Sequence, residues 1–499
     1  MSKSDDFMEV LDPISRTMDA GTPTTVGDEQ FDTGLNRGAL GLSGVTMQSV
    51  THIAPAIAAF FFTSVVVGFA GLTAPLAYII AVVIVMMLGS SLVQLAKHLP
   101  SAGGYYTYVS RGIHPRAGFI TSWMYIFYAP LCGGPIYGFF GYIVQQQLKS
   151  NYGIDLPWLW WACIVVGAPM IAFLQFRGIR ISGRAMLILG GIEMLLVLVL
   201  SLWGFFDPGP GGTAFAVFNP SNIPAGSGFA LAIVFSIQGL TGWEGAAPLA
   251  EETNDPKRNI PRAVILSIVG IGAILVVCYW GEIVGWGTAK YGSISTSSQL
   301  PALVLAHRFW GGAWIIMLFA FLNSTIGVCL ATANVGTRMW YGMARNGSFP
   351  KVIGKLHPVH KTPVNAILMQ MCLSLAVGIG VGLAYGPQIS FNFIDGLILV
   401  LAVGVVYIMG NIAVFMFYRR ERRSEFNVFL HVLFPIVSSG ALIYAVYKSF
   451  FPSPGHPYVF APLIDGIWLI LGIVILVVMR VRGKEEWLKS AGATLADTP

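Results

Sequence analysis

The sequence predicts an all-α polytopic membrane protein with twelve transmembrane helices, the first and sixth of them discontinuous. Three observations lead there. Only 10% of the 499 residues are charged, whereas soluble domains carry roughly 25%. Mean hydropathy is +0.71. Apolar stretches long enough to cross a bilayer, roughly 20 residues each, recur along the chain, and two are interrupted at corresponding places.

The stretches are Gly41–Phe69, Ala74–Leu95, Ala117–Leu148, Leu156–Leu174, Met186–Phe206, Gly226–Leu249, Ala263–Trp286, Ala313–Met343, Val364–Leu383, Phe391–Tyr418, Phe429–Tyr447 and Val459–Val481. The first is interrupted by Thr51-His52-Ile53-Ala54-Pro55-Ala56 and the sixth by Gln238-Gly239-Leu240-Thr241-Gly242. Lipid offers no partner to a free backbone N–H or C=O, so an unwound turn at membrane depth persists only where protein or a cavity covers it. One such interruption in each half points to a solute site between two repeats. Their spacing, five crossings apart, predicts two five-helix repeats of opposite orientation, 41–206 and 226–418, with two helices added in 429–481.

Basic residues set the orientation. With both termini inside, only Lys149, Lys290, Arg308 and Lys448 lie outside, which is the positive-inside pattern. The same inner rim, beside anionic lipid, accounts for the net charge of +6 without a nucleic-acid partner. Residues 1–36 are polar and read as a disordered cytoplasmic tail rather than a signal peptide. The transport domain spans 37–482, and 483–499 form a second cytoplasmic tail. Cys132, Cys163, Cys278, Cys329 and Cys372 all fall in apolar spans without metal-ligand spacing, so they read as small hydrophobes with no disulfides. The segment Lys290 to Gly312 is amphipathic, and reads either as an outer lid helix or as a connector.

Three stretches then carry a resemblance. The first is Leu99-Pro100-Ser101-Ala102-Gly103-Gly104-Tyr105-Tyr106-Thr107-Tyr108, with Gly118-Phe119 and Trp123 after it. The second is Gly242-Trp243-Glu244, leading to Glu251-Glu252-Thr253-Asn254-Asp255-Pro256-Lys257-Arg258-Asn259-Ile260-Pro261-Arg262-Ala263. The third is Arg338 with Gly342-Met343-Ala344-Arg345-Asn346-Gly347 and Pro350. In this order they resemble the amino acid–polyamine–organocation superfamily of permeases, over about residues 38–425. The resemblance implies the five-plus-five inverted repeat of LeuT-type carriers and secondary transport of amino acids or related amines by alternating access.

Candidate site residues follow from the breaks. A half-helix N-terminus attracts an anion, and loose carbonyls attract a cation. The family's first break usually reads Gly-Ser-Gly, whose amides hold a substrate carboxylate; here the matching place reads Ala54, Pro55, Ala56 and Ile57. Proline has no N–H to give. Either a carboxylate contact is missing and the substrate's amine matters more than its acid, or Pro55 only kinks the helix while Ala56 and Ile57 still bind carboxylate. Thr51 and His52 line the same break, His52 as an ionisable group at membrane depth. The sixth break contributes Gln238, Gly239, Leu240, Thr241, Gly242 and Trp243. Gln238 offers a donor and an acceptor, and Trp243 offers a face to a cationic amine or packs between helices. Cys132 joins the lining from the small-residue run Pro130 to Pro135, which leaves room for a ligand.

Glu193, within an apolar helix, is the candidate coupling residue, where some proton-coupled relatives place a lysine. It reads as a proton site, as part of a cation site, or as a structural acid near the inner face. Glu244 and Thr332 read as gate or structural residues. Glu282 and Asp395 read as solvated helix ends, with an outer gate as the alternative. Sodium-coupled members of this fold ligate the ion with hydroxyls of the eighth span, but Ser and Thr in membrane helices usually bond their own backbone, so no sodium or other metal site is assigned. No cofactor is expected. There is no Walker loop, HExxH or Ser-His-Asp spacing, so an enzyme is not expected either. The leading expectation is an importer of an amino acid or small amine by proton symport. An exchanger without ion coupling and an amine-selective permease are the alternatives, and a solute sensor without transport is a third class.

Overall fold

The computed structural model describes residues 34–495 except 213–214, 227, 298, 452 and 454. Residues 1–33 and 496–499 of the expected tails lie outside the described residues. Among the described residues the chain is helical, with only two isolated β-bridges and no strand. Nine helical stretches are long and apolar enough to cross a membrane, so this is a polytopic all-α membrane protein. That number takes the first and second apolar stretches together, as one helical run from Leu42 to Ala96, and counts neither the third nor the sixth.

The first stretch forms α1 (Leu42–Ile53) and α2 (Pro55–Ala70). A turn at Gly71–Thr73 leads to α3 (Ala74–Ala96), and a short α4 (Tyr105–Gly112) follows. The third stretch is α5 (Pro115–Leu131) and α6 (Gly133–Tyr152), separated at Cys132. Next come α7 (Leu159–Phe176) and α8 (Ile179–Phe206). The sixth stretch is α9 (Gly228–Gln238) and a 3₁₀ segment, Trp243–Glu252. It is followed by α10 (Pro256–Trp286), α11 (Pro301–Trp310), α12 (Ile315–Arg345) and α13 (Val364–Tyr385). The tenth stretch is built from α14 (Pro387–Phe391), a π-helical segment Asn392–Ile398 and α15 (Leu399–Arg420). The last two helices are α16 (Phe434–Phe450), entered through a π turn at Phe429–Leu433, and α17 (Ala461–Val481).

Burial places these elements. α12 is buried nearly all round from Ala320 to Ala344, so it runs through the bundle centre. α17 leaves most of its apolar side chains exposed, as a helix facing lipid must. Glycine permits a close crossing: a side-chain carbon on Gly134 of α6 would lie 2.7 Å from the Gly378 backbone of α13. α11 occupies the amphipathic segment after α10 and buries Ala302, Leu303, Leu305 and Ala306. The described residues that flank the expected transport domain pack against it. Leu35 is buried, and the Leu40 N–H donates to the Glu252 carbonyl at 3.0 Å. Trp487 packs on Phe119 at 5.8 Å between ring centres.

Candidate functional site

Pro55 lacks an N–H, and its ring blocks the turn before it, so α1 cannot continue through it. Ala54 therefore takes left-handed backbone, φ 57° and ψ 69°, at a cost of roughly 1–2 kcal/mol for an L-residue. Pro55 becomes the first residue of α2, where a helix misses no N–H. The next amides form a helix N-terminus, which favours an anion. The Ala56 N–H donates to Glu193 Oε1 at 2.7 Å, and the Ile57 N–H to Ser324 Oγ at 3.3 Å. The Ser324 hydroxyl donates to the same Glu193 oxygen at 2.5 Å. A carboxylate of the chain itself thus occupies the anion seat. Glu193 is fully buried in mid-α8, away from the helix end, and its Oε2 has no partner.

The second break lies against the first. Gly242 has φ 113°, which glycine adopts without penalty, and a side-chain carbon there would lie 2.6 Å from the His52 carbonyl. Glu244 closes this break from two residues on. Its Oε2 accepts the Gly242 N–H at 3.2 Å and the Tyr407 hydroxyl at 2.7 Å, and its Oε1 accepts the Tyr125 hydroxyl at 2.9 Å. The Trp243 ring packs against Tyr407 at 5.1 Å and is buried between helices. Leu240 and Thr241 carry the turn, their N–H groups bonded to Ile237 and Gln238 carbonyls at 3.1 and 3.0 Å. Gly239 lets the Tyr78 hydroxyl approach to where a side-chain carbon would be, 2.5 Å away.

The remaining candidates divide. His52 Nε2 lies 3.2 Å from the Tyr128 hydroxyl, and Cys132, four residues further on, donates its thiol to the Tyr128 carbonyl at 3.3 Å. Gln238 donates to the Gly396 carbonyl of the π-helical segment at 2.8 Å. The structure thus brings His52 and Cys132 to Tyr128, and Trp243 and Glu244 to Tyr407, with Gln238 bonded to the π-helical segment and Glu193 on the α2 side. Thr51 and Thr332 turn their hydroxyls to their own backbone, at the Met47 and Val328 carbonyls, 2.7 Å each. Of the eighth-span oxygens, Thr325 does the same at 2.9 Å, while Ser324 serves Glu193.

Two carboxylates differ from the sequence expectation. Glu282 is 1% exposed and neither of its oxygens is partnered, so it is no solvated helix end. Asp395 sits in the π-helical segment, half-buried, with Oδ2 sealed from solvent and unpartnered. Hydropathy cannot distinguish a helix end from a local change of pitch. Sequence reading also missed Tyr125, Tyr128 and Tyr407; the first two, three apart on α5, share one helix face.

Both approaches to the breaks are shut. On the face where α1 begins, Arg338 Nε meets Glu252 Oε2 at 2.9 Å, both side chains 1% exposed. Arg345 meets Glu251 at 2.8 Å, and Glu251 also accepts the Ala102 N–H at 2.9 Å. The three stretches that carried the family resemblance thus converge in one buried ionic seal. On the α2 side, Phe139 stacks on Phe391 at 4.3 Å, and Phe61 meets them edge-on at 5.7 and 5.4 Å.

A sequence model described as amino acid permease matches residues 44–490, nearly the whole chain. The chain belongs to the amino acid permease family, within the amino acid–polyamine–organocation superfamily, a family of transporters. It is 26% identical over 380 residues to the low-affinity putrescine importer PlaP of Escherichia coli (strain K12), covering 72% of this chain and 80% of that one. It is 27% identical over 342 residues to the branched-chain amino acid permease BcaP of Bacillus subtilis (strain 168), covering 63% and 69%. An exporter is also similar, the L-methionine/branched-chain amino acid exporter YjeH of Escherichia coli (strain K12), 24% identical over 266 residues, 52% and 58% of the two chains.

Proposed function

We propose that this permease imports a small amine without an α-carboxylate, by proton symport and alternating access, at a site between the breaks at Ala54 and Gly242. One observation carries the reading: the Ala56 N–H, which would receive a substrate's carboxylate, is bonded to Glu193 at 2.7 Å. A zwitterion would have to displace a buried carboxylate to bind there. An amine has no such requirement, and the likeness to a putrescine importer fits it. The lining consists of Thr51, His52, Ala54–Ile57, Cys132, Gln238–Gly242 and Trp243, with Glu244 and Thr332 as supports.

In this reading the chain crosses the cell membrane twelve times with both termini in the cytoplasm. It forms two LeuT-type repeats of opposite orientation over 41–206 and 226–418, with α16 and α17 added. The ionic seal is then the cytoplasmic gate. A proton arriving on Glu193 removes the charge that holds the N-terminus of α2, and this frees the first break to move when substrate loads.

Uptake into proteoliposomes tests the reading. A pH gradient, acidic outside, is expected to drive accumulation of 1,4-diaminobutane or a monoamine in preference to leucine or alanine. Uptake of the zwitterions with no competition from amines would overturn the amine reading. Uptake that ignores the gradient and requires amine inside the vesicle would replace symport by exchange.

A further inference from the structure

Asp395 has no assigned role and no partner for Oδ2, and it lies on the only stretch of its span that departs from α-helical pitch among the described residues. Single π turns inside α-helices occur frequently at functional sites, because the extra residue turns a side chain out of register. The distortion here is anchored to the second break, where Gln238 bonds the carbonyl of Gly396, the residue after Asp395. The Asp395 carboxylate faces the Cys132 thiol, and that thiol also bonds the Tyr128 carbonyl at 3.3 Å. Tyr128 in turn holds His52 at the first break. Asp395 thus stands next to the residue that Gln238 of the sixth crossing holds and beside Cys132 of the third, whose thiol bonds the carbonyl of Tyr128.

No Lys or Arg pairs with Asp395 among the described residues. The other acids at the breaks already receive donors from the chain: Glu193 takes Ala56 and Ser324 on Oε1, with Oε2 open, and Glu244 takes two tyrosines. An ionisable group at membrane depth is retained where it meets a partner or a cargo. We infer that Asp395 is the receptor for the substrate's ammonium group, with Cys132 and Tyr128 as its immediate neighbours. The inference deepens the amine reading and rests on it. The ammonium donates to the Asp395 oxygen that lacks a partner, while the anion seat at Ala56 stays filled by Glu193.

Binding of n-butylamine, 1,4-diaminobutane and butyrate to purified protein, followed by ligand-dependent thermal shift and by equilibrium binding, tests it. Wild type is expected to bind the two amines and not butyrate. Asp395→Asn is expected to weaken amine binding by about 10- to 100-fold, the range for losing a charged hydrogen-bond partner. Asp395→Glu is expected to restore part of it. Equal amine affinity in wild type and a folded Asp395→Asn would overturn the inference while leaving the amine reading intact. Should wild type bind no amine, the amine reading itself would fall. Amine binding by wild type that requires sodium, with Asp395→Asn abolishing only that requirement, would make Asp395 an ion ligand and also overturn the inference. If Asp395→Asn does not fold, Cys132 decides. In a variant lacking the other four cysteines, the amines are expected to protect Cys132 from a thiol reagent, and labelling at the same rate with and without amine would exclude it.

Discussion

The break before Pro55 takes its carboxylate from another helix, and the break before Trp243 supplies its own. Glu193 reaches the N-terminus of α2 from α8, across 137 positions of sequence, and uses one oxygen for both the Ala56 amide and Ser324. Glu244 closes the other break from two residues on, with both oxygens engaged by Tyr125, Tyr407 and Gly242. Neither oxygen of Glu244 is left unpartnered, whereas Glu193 keeps Oε2 open in a site without solvent. A fully bonded carboxylate is a fixed brace, because losing its charge weakens several buried hydrogen bonds at once. A half-bonded one at a helix N-terminus is a group whose charge the fold can lose. The two breaks are in contact at His52 and Gly242, so the fully bonded carboxylate and the half-bonded one lie on two sides of one joint.

The sharpest way to break this comparison is to remove each carboxylate. Glu244→Ala strands two buried tyrosine hydroxyls and an amide, and should destabilise by about 3–5 kcal/mol, the range for stripping one member from a buried network. Thermal unfolding in detergent is expected to show a large drop in Tm or no folded protein. A Tm near wild type would show that Glu244 is no brace.

Gly242→Ala comes next. It places a side chain at φ 113° and a carbon 2.6 Å from the His52 carbonyl. Strain and overpacking each contribute about 1–3 kcal/mol, so a lower Tm is expected together with loss of transport. A tolerated alanine would mean that the breaks part more easily than their contact indicates.

Glu193→Gln should cost less. The glutamine Oε1 still accepts from Ala56 and Ser324, so the loss is the charge-assisted share, about 1–2 kcal/mol. The expected signature is functional: gradient-driven accumulation is abolished while amine binding or exchange stays measurable. Unchanged accumulation would remove the coupling role. A stability loss equal to that of Glu244→Ala would erase the difference between the two breaks.

The breaks themselves were legible in the sequence because Pro55, Gly239 and Gly242 advertise what the backbone cannot do there. What fills them was not legible. The bond from Ala56 to Glu193 depends on which face α8 turns to α2, and local composition carries no trace of that. Sequence could place Glu193 in an apolar helix without showing that it stands where a substrate's acid was expected. Glu282 and Asp395 read as solvated helix ends because they stand near the outer ends of apolar spans, yet one is buried within α10 and the other rides a π turn. Tyr125, Tyr128 and Tyr407 look like ordinary membrane aromatics until their hydroxyls are followed to Glu244 and His52.

Ala54→Gly should give the smallest effect, and it asks how the two left-handed residues differ. Gly242 takes positive φ without strain, whereas Ala54 takes φ 57° at a cost. Glycine would relieve about 1–2 kcal/mol of that cost, offset by about 0.5–1 kcal/mol of extra freedom in the unfolded chain. The net is a gain of about 0–1.5 kcal/mol, read as a Tm at or slightly above wild type. Transport should respond in the other direction. A glycine hinge leaves α1 and α2 less firmly set, so coupling should loosen, with more amine leaking per proton taken up. A clear fall in Tm would show instead that the Ala54 methyl, buried at 4% exposure, stabilises the break by packing more than its backbone strains it.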